Sequence, residues 1–309
     1  MKIGNHHISF FFPSLKHYES SITPEGNSCG TAAISITGSA CALKCKHCGG
    51  TILKRMEPAL TPQALKEQAH QLVQKGIRSI LISGGSRPDG TVPLGNFLGA
   101  VKEIKRETGI KVLVHTGLVS QKLADRLADA GIDCAMIDII GARETVREIY
   151  GLKAEVVDFE NSLKWLTERN IPTAPHVVMG LHFGEMRGEK QALSMIAGYP
   201  VSALVLVGFR PIPGTAMAGV KPLSPEAMGE LFVMTRELFP HTPVLLGCER
   251  PLGRHRVKTD QLAIEAGLDG IAYPGEEAIN LVRENGITIR SYYDCCALIP
   301  PPFRGRGSR

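Results

Sequence analysis

From residue 31 onward, short runs rich in β-branched residues alternate with amphipathic stretches of helical period, eight times over. The expected strands cover 33–37, 79–83, 111–115, 133–139, 173–179, 203–207, 243–246 and 270–273. In the first helical stretch Thr61 stands as N-cap with Pro62 at the first helical position. Leu65, Ala69, Leu72 and Val73 share one face, and Gly76 stops it. The third starts at Ser120, carries Leu123, Leu127 and Ala130 on a stripe and stops at Gly131; the last two stop at Gly267 and Gly286. A buried parallel strand followed by a helix that ends in glycine, repeated eight times, predicts an α/β fold, a (β/α)8 TIM-type barrel over residues 31–286. Residues 1–30 then form an N-terminal extension and 287–309 a C-terminal one. A doubly wound open sheet is the other arrangement this pattern allows.

Composition narrows the function. Hydrophobic residues at 43% and charged residues at 21% describe an ordinary globular chain. The net charge is +5, but Arg304, Arg306 and Arg309 of the tail carry three of those charges, leaving about +2 (5 − 3) on the body. That is too mild to argue for nucleic acid. No apolar run approaches the roughly 18 residues of a membrane span, and the N-terminal apolar patch is too short for a signal peptide, so a cytoplasmic protein is expected. Eight cysteines in such a chain point to metal or redox chemistry rather than disulfides.

Reactive residues of such barrels sit in the loops that follow the strands. Cys41, Cys45 and Cys48 follow the first expected strand, Cys248 the seventh, and Cys295 and Cys296 lie beyond the eighth; all are expected at the mouth. Cys134 opens the fourth strand, at the other end, and reads as an inert core thiol. Cys29 precedes the first strand. Cys41-Ala-Leu-Lys-Cys45-Lys-His47-Cys48 is C-x3-C-x2-C in one short loop. Three thiolates can hold three irons of a [4Fe–4S] cubane and leave the fourth iron open. Zinc, with His47 as fourth ligand, is the alternative.

The cysteine loop, its place after the first strand and the barrel pattern together resemble the radical S-adenosylmethionine superfamily. The resemblance implies that the open iron chelates the methionine of the cofactor and that a 5′-deoxyadenosyl radical is made there. His47 occupies the position of the family's aromatic residue, near the adenine. Ser83-Gly84-Gly85-Ser86 stands where the family has its Gly-Gly-Glu loop, so backbone carbonyls or Ser86 would accept the methionyl ammonium; an ordinary βα turn is the bland reading. Asp138 and Arg147 are placed to bind the ribose and carboxylate, unless the second belongs to a solvated helix start. His176 lies on the strand beside the adenine, or is a core-edge histidine. Arg210, Arg250 and Arg254 are candidates for substrate contact at the mouth.

Cys29, Cys248, Cys295 and Cys296 remain for a second, auxiliary cluster, although adjacent side chains should diverge along an extended backbone. Arg290-Ser291-Tyr292 is similar to the C-terminal serine element of lipoyl synthases, which adds Ser291 as a ligand candidate. Gly247-Cys248-Glu249-Arg250-Pro251 and the 34–38 and 46–49 segments resemble a branch of biotin-synthase homologues that includes a component of the two-protein lipoyl synthase. The resemblance implies sulfur insertion into an octanoyl chain on a lipoyl-carrier protein, with a ferredoxin- or flavodoxin-type reductant and a second radical enzyme as partners. Phe183, Met186, Ile212 and Met217 are candidates for an apolar channel. A radical enzyme acting on a small molecule and a non-catalytic iron–sulfur protein are the rival readings.

Overall fold

The computed structural model describes residues 7–15, 18–23 and 30–300. Its strands are β1 (His7–Phe11), β2 (Thr31–Ser35), β3 (Glu57–Pro58), β4 (Ser79–Ser83), β5 (Lys111–His115), β6 (Cys134–Asp138), β7 (Thr173–Met179), β8 (Leu204–Gly208), β9 (Val244–Leu246), β10 (Gly270–Ala272) and β11 (Thr288–Tyr292). The helices are α1 (Pro62–Gln74), α2 (Leu98–Thr108), α3 (Gln121–Ala130), α4 (Arg143–Glu148), α5 (Val156–Glu168), α6 (Glu189–Ala197), α7 (Pro225–Leu238), α8 (Arg254–Glu265) and α9 (Glu276–Glu284). Start signals act as the sequence implies. Thr61 accepts a hydrogen bond from Ala64 N at 3.1 Å and Ser120 one from Leu123 N at 3.2 Å, each meeting a helix donor that would otherwise be unpaired.

All pairings are parallel, and the strands form one curled sheet in the order β11-β1-β10-β9-β8-β7-β6-β5-β4-β2-β3. The eight expected strands are present as β2 and β4–β10, each feeding a helix, which is the architecture of an α/β TIM-type barrel. Three further strands join it. The Phe10–Phe12 patch lies in and just beyond β1, which inserts between β10 and β11, so both flanking segments enter the sheet. Among the described residues no ladder joins β2 to β1 or β11, and the barrel has a seam there.

Strand alternation divides the interior into two layers. Ile34, Ile80, Ile82, Val112, Val114, Ile137, Val177 and Leu206 face the helices. Leu113, Cys134, Met136, Ala174, Val205, Leu245 and Ala272 fill the lumen, together with Cys295, Cys296 and Ala297 from the C-terminal segment. The first strand departs from expectation by beginning at Thr31 rather than residue 33 and stopping at Ser35. Side chains end it: Ser35 Oγ donates to Gly38 O at 2.7 Å and Thr37 Oγ1 to Ala40 O at 2.9 Å. These local bonds turn Ile36-Thr37, which read as strand by branching, into the start of the cysteine loop.

Candidate active site

The loop after β2 is held from several sides. Ala42 N donates to Ser86 O at 2.9 Å, Lys46 N to Ile149 O at 2.9 Å and Gly85 N to Thr37 Oγ1 at 2.7 Å. Gly85 is required here by contact: a Cβ on it would lie 1.9 Å from Ala40 O and 2.6 Å from Cys41 Cα. The close approach expected of Gly84-Gly85 therefore exists, but what approaches is the backbone of the cysteine loop. Ser83 Oγ donates to His115 O at 3.0 Å, and the Ser86 carbonyl already accepts from Ala42.

On this loop Cys45 is buried, and Cys41 and Cys48 are half-buried. The Cys45 and Cys48 thiols hydrogen-bond each other. This sharing, helped by nearby His47 against the opposing effect of burial, brings Cys48 down to about 4. The same hydrogen bond, with burial, raises Cys45. One thiolate thus forms readily where a metal would displace the remaining protons. His47 packs its ring 5.4 Å from that of Tyr150, and both His47 Nδ1 and the Tyr150 hydroxyl are buried without a hydrogen-bond partner. Burial, then the negative charge of Asp138, push the Tyr150 phenol well above its ordinary value. Among the described residues no three His, Cys, Asp or Glu side chains converge as one metal ion requires. A cubane takes one thiolate per iron corner and asks instead for thiols spread around a larger body. Three thiols on one anchored loop, beside two unpartnered polar atoms, fit such a group.

Beneath the loop the strand ends supply a polar layer. His115 closes β5 and Asp138 closes β6, with His115 Nε2 3.7 Å from Asp138 Oδ1. The rings of His115 and His176 meet edge-on at 5.4 Å, and His176 Nδ1 pairs with Ala174 O at 3.0 Å. Burial, then His115, lower His176 to about 4. His115 and Tyr150 were not singled out by sequence. His115 ends an expected strand at the mouth, as Asp138 does, so the same rule would have found it. Tyr150 lies past a short helix, where no periodicity marks it.

Other expected residues lie elsewhere. Arg147 is exposed and pairs with Glu155 at 2.6 Å, away from a cofactor role at the lumen. Arg210 pairs with Glu249 at 2.9 Å, and Arg254 stands exposed at the first position of α8. Arg250 does not reach outward for substrate. It is 2% exposed, and its five N–H groups go to Asp260 Oδ1 and Oδ2 and to the carbonyls of Gly247, Ala272 and Tyr273, at 2.7–3.0 Å. Met217 is wholly buried as packing, while Phe183 is exposed under Lys46 Nζ at 5.2 Å. Met186 and Ile212 are half-buried.

The auxiliary candidates are also rearranged. Cys29 lies outside the described residues. Ser291 is exposed on β11, whereas its neighbour Tyr292 turns inward and stacks on Phe11 at 5.3 Å; the period of two sends Ser291 away from the lumen. Cys295 and Cys296 are buried, but not at the mouth. Cys295 N donates to Oγ1 of Thr31, the first residue of β2, at 2.7 Å, and Asp294 accepts from Ser79, the first residue of β4, at 2.8 Å. They sit at the floor, where the strands begin. They missed the mouth because the chain after β11 folds back toward the strand starts, which no local pattern signals.

A parallel β/α barrel with three thiols on the loop after its first helix-bearing strand defines a class of iron–sulfur barrel enzymes. A family model described as the radical SAM superfamily matches residues 35–195, just over half of the chain, and the chain belongs to that superfamily. It is 29% identical to biotin synthase of Bacillus cytotoxicus over 96 residues, which are 30% of this chain and 29% of that protein. A biotin synthase of Bacillus thuringiensis is 27% identical over the same length. The match thus spans under a third of these curated relatives. The fold is similar to methylornithine synthase, with TM-score 0.59 and 14% identity over 86% of this chain and 85% of that one. It is also similar to the FeFe-hydrogenase maturase HydG of Carboxydothermus hydrogenoformans, with TM-score 0.62 and 16% identity over 92% and 68%. No helix among the described residues is long and apolar enough to cross a membrane.

Proposed function

We propose that this radical SAM enzyme inserts sulfur into an octanoyl chain carried on a lipoyl-carrier protein. The observation that carries this reading is the pairing of a three-thiol loop at the mouth with a second group of thiols inside the same lumen. Cys41, Cys45 and Cys48 would hold a [4Fe–4S] cluster, which when bound would supply one-electron reductive chemistry toward S-adenosylmethionine. The chain's own residues do the rest. Gly85 lets the cysteine loop seat against β4, and Lys46 and Ile149 fix its far side. His47 and Tyr150 offer ring faces and unpartnered polar atoms to a cofactor beside the loop. His115, Asp138 and His176 orient polar groups of whatever enters the lumen, and the helix-covered sheet keeps water from the radical.

The exposed rim supports the partners of this reading. Lys44, Lys46, Lys54 and Arg55 surround the loop, and this positive surface suits an acidic carrier domain and a ferredoxin- or flavodoxin-type reductant. A second radical SAM subunit completes the proposed reaction. The test is anaerobic, reconstituted enzyme with cofactor, dithionite and octanoylated carrier, with and without candidate partner. The expected result is 5′-deoxyadenosine together with a carrier heavier by one or two sulfur atoms. Absence of 5′-deoxyadenosine would end the radical reading; 5′-deoxyadenosine with an unaltered carrier would end the sulfur-insertion reading.

One observation favours a second reading, a radical enzyme for a small polar molecule. Leu113, Met136 and Leu245 pack the middle of the lumen fully, and the polar layer of His115, Asp138 and His176 lies directly above. Turnover of a small amino acid or similar polar substrate, with no reaction on the carrier, would decide for it.

A further inference from the structure

The C-terminal segment brings together four thiols that the sequence keeps far apart. Cys134 opens β6 with its side chain in the lumen, 1% exposed. Cys295 and Cys296 lie against it, 7% and 5% exposed, in the same packed group. Their side chains do not diverge. Cys295 stands at the start of a short 3-10 turn that Cys296 begins, and both side chains enter the same packed group. Cys248, just past β9, reaches the group from above and is half-buried. Ala174, Ala203, Ala272 and Ala297 line the same space with small side chains.

We infer that Cys134, Cys248, Cys295 and Cys296 together hold the auxiliary [4Fe–4S] cluster, and that the outward-facing Ser291 does not. This rests on the iron–sulfur reading of the protein and revises its ligand set. One thiolate per iron suits sulfurs that are grouped without converging on a single ion. Binding is a ligand exchange: four S–H protons leave to solvent and four Fe–S(Cys) bonds form, while ferrous and ferric iron in equal number and inorganic sulfide come from solution, so no electron is gained or lost. The geometry separates two clusters within one lumen. Cys134 and Asp138 lie four residues apart on β6, about 13 Å along the strand. The floor cluster thus has a packed layer between itself and the polar residues under the mouth. Cys248, the half-buried member, marks the corner nearest the mouth.

The test uses the full chain with Cys41, Cys45 and Cys48 all replaced by alanine, which removes the loop site and leaves the floor. After anaerobic incubation with iron and sulfide, this variant is expected to retain about four iron and four sulfide per chain with a charge-transfer spectrum. Adding Cys295→Ala and Cys296→Ala is expected to abolish both. Adding Cys134→Ala alone is expected to speed iron loss to a chelator several-fold, whereas Cys29→Ala and Ser291→Ala leave that rate unchanged. Thermal unfolding of each metal-free variant shows whether it still folds, and the chelator rate is read only on those that do. No iron in the loop variant, or zinc bound without sulfide, overturns the inference. Iron lost with Cys29→Ala but held as firmly with Cys134→Ala overturns the ligand set. Wild-type protein that still binds four iron and cleaves the cofactor while the loop variant binds none would sink the floor site and leave the radical chemistry standing.

Discussion

Arg250 shows how a residue in a conspicuous motif can serve the fold. Its guanidinium is buried with all donors met, and its partner Asp260 is 0% exposed. The pair ties the end of β9 to β10 and α8 and so fixes the loop that carries Cys248. Replacement by methionine would leave the Asp260 carboxylate buried with weaker compensation from Arg256, 3.8 Å away. The expected cost is about 3–5 kcal/mol, measured as a fall in the urea midpoint. Asp260→Asn in the same background should recover part of it. An effect below about 1 kcal/mol would show that the pair is not structural. His176 makes the second prediction. Its folded value of about 4 lies below its unfolded value near 6.5, so the unfolded state takes the proton first as pH falls. Stability is then full above pH 6.5 and declines from there toward pH 4. The groups facing it are His115 on β5 and Asp138 on β6, and the first opposes protonation while the second favours it. A His176→Asn variant should show a shallower decline over that window in pH-dependent urea unfolding. An identical slope would refute the assignment.

At the level of elements, strand–helix alternation made β4, β5 and β7 readable to the residue, because each is a short run containing Val, Ile or Leu and followed within two residues by glycine. β2 was misplaced by two residues since Ser35 and Thr37 bond locally and end the strand, an effect absent from β-propensity. The glycine pair after β4 was legible as a tight approach, but its partner was not: contact with Ala40 and Cys41 is a tertiary fact. That contact predicts the fate of Gly85→Ala. The new methyl must push the cysteine loop off β4, so the loop site should lose most of its iron while the floor thiols keep theirs. Iron per chain, compared with the wild type, reads this directly. The stability cost should be about 1–3 kcal/mol, the range for overpacking a close contact. Unchanged iron content would mean that the loop yields without disturbing the thiols.

Across the whole molecule, what could not be read from sequence is the closing of the seam. Thr31, Ser79 and Asp294 stand far apart in the chain, yet form one directed hydrogen-bond chain: Cys295 N to Thr31 Oγ1, Thr31 to Ser79 Oγ, and Ser79 to the Asp294 carboxylate. The carboxylate can only accept, which sets the direction for both hydroxyls. Thr31 and Ser79 are fully buried, so no water replaces a lost partner at either. This chain takes the place of the ladder missing between β2 and the far edge of the sheet, and it holds the thiol-bearing segment under the barrel. Asp294→Ala would strip the terminal acceptor and leave the Ser79 hydroxyl buried and unsatisfied, costing about 1–3 kcal/mol. The more telling consequence is local. Opening of the 294–299 segment should become cheaper than global unfolding, so Cys295 and Cys296 in the metal-free protein should react faster with a maleimide, while Cys134 on β6 stays as slow as before. Mass spectrometry of the labelled peptides separates these sites. If all three cysteines speed up together, the loss is global and the seam is not a latch; if none does, packing of Cys296 and Ala297 in the lumen holds the segment without the carboxylate.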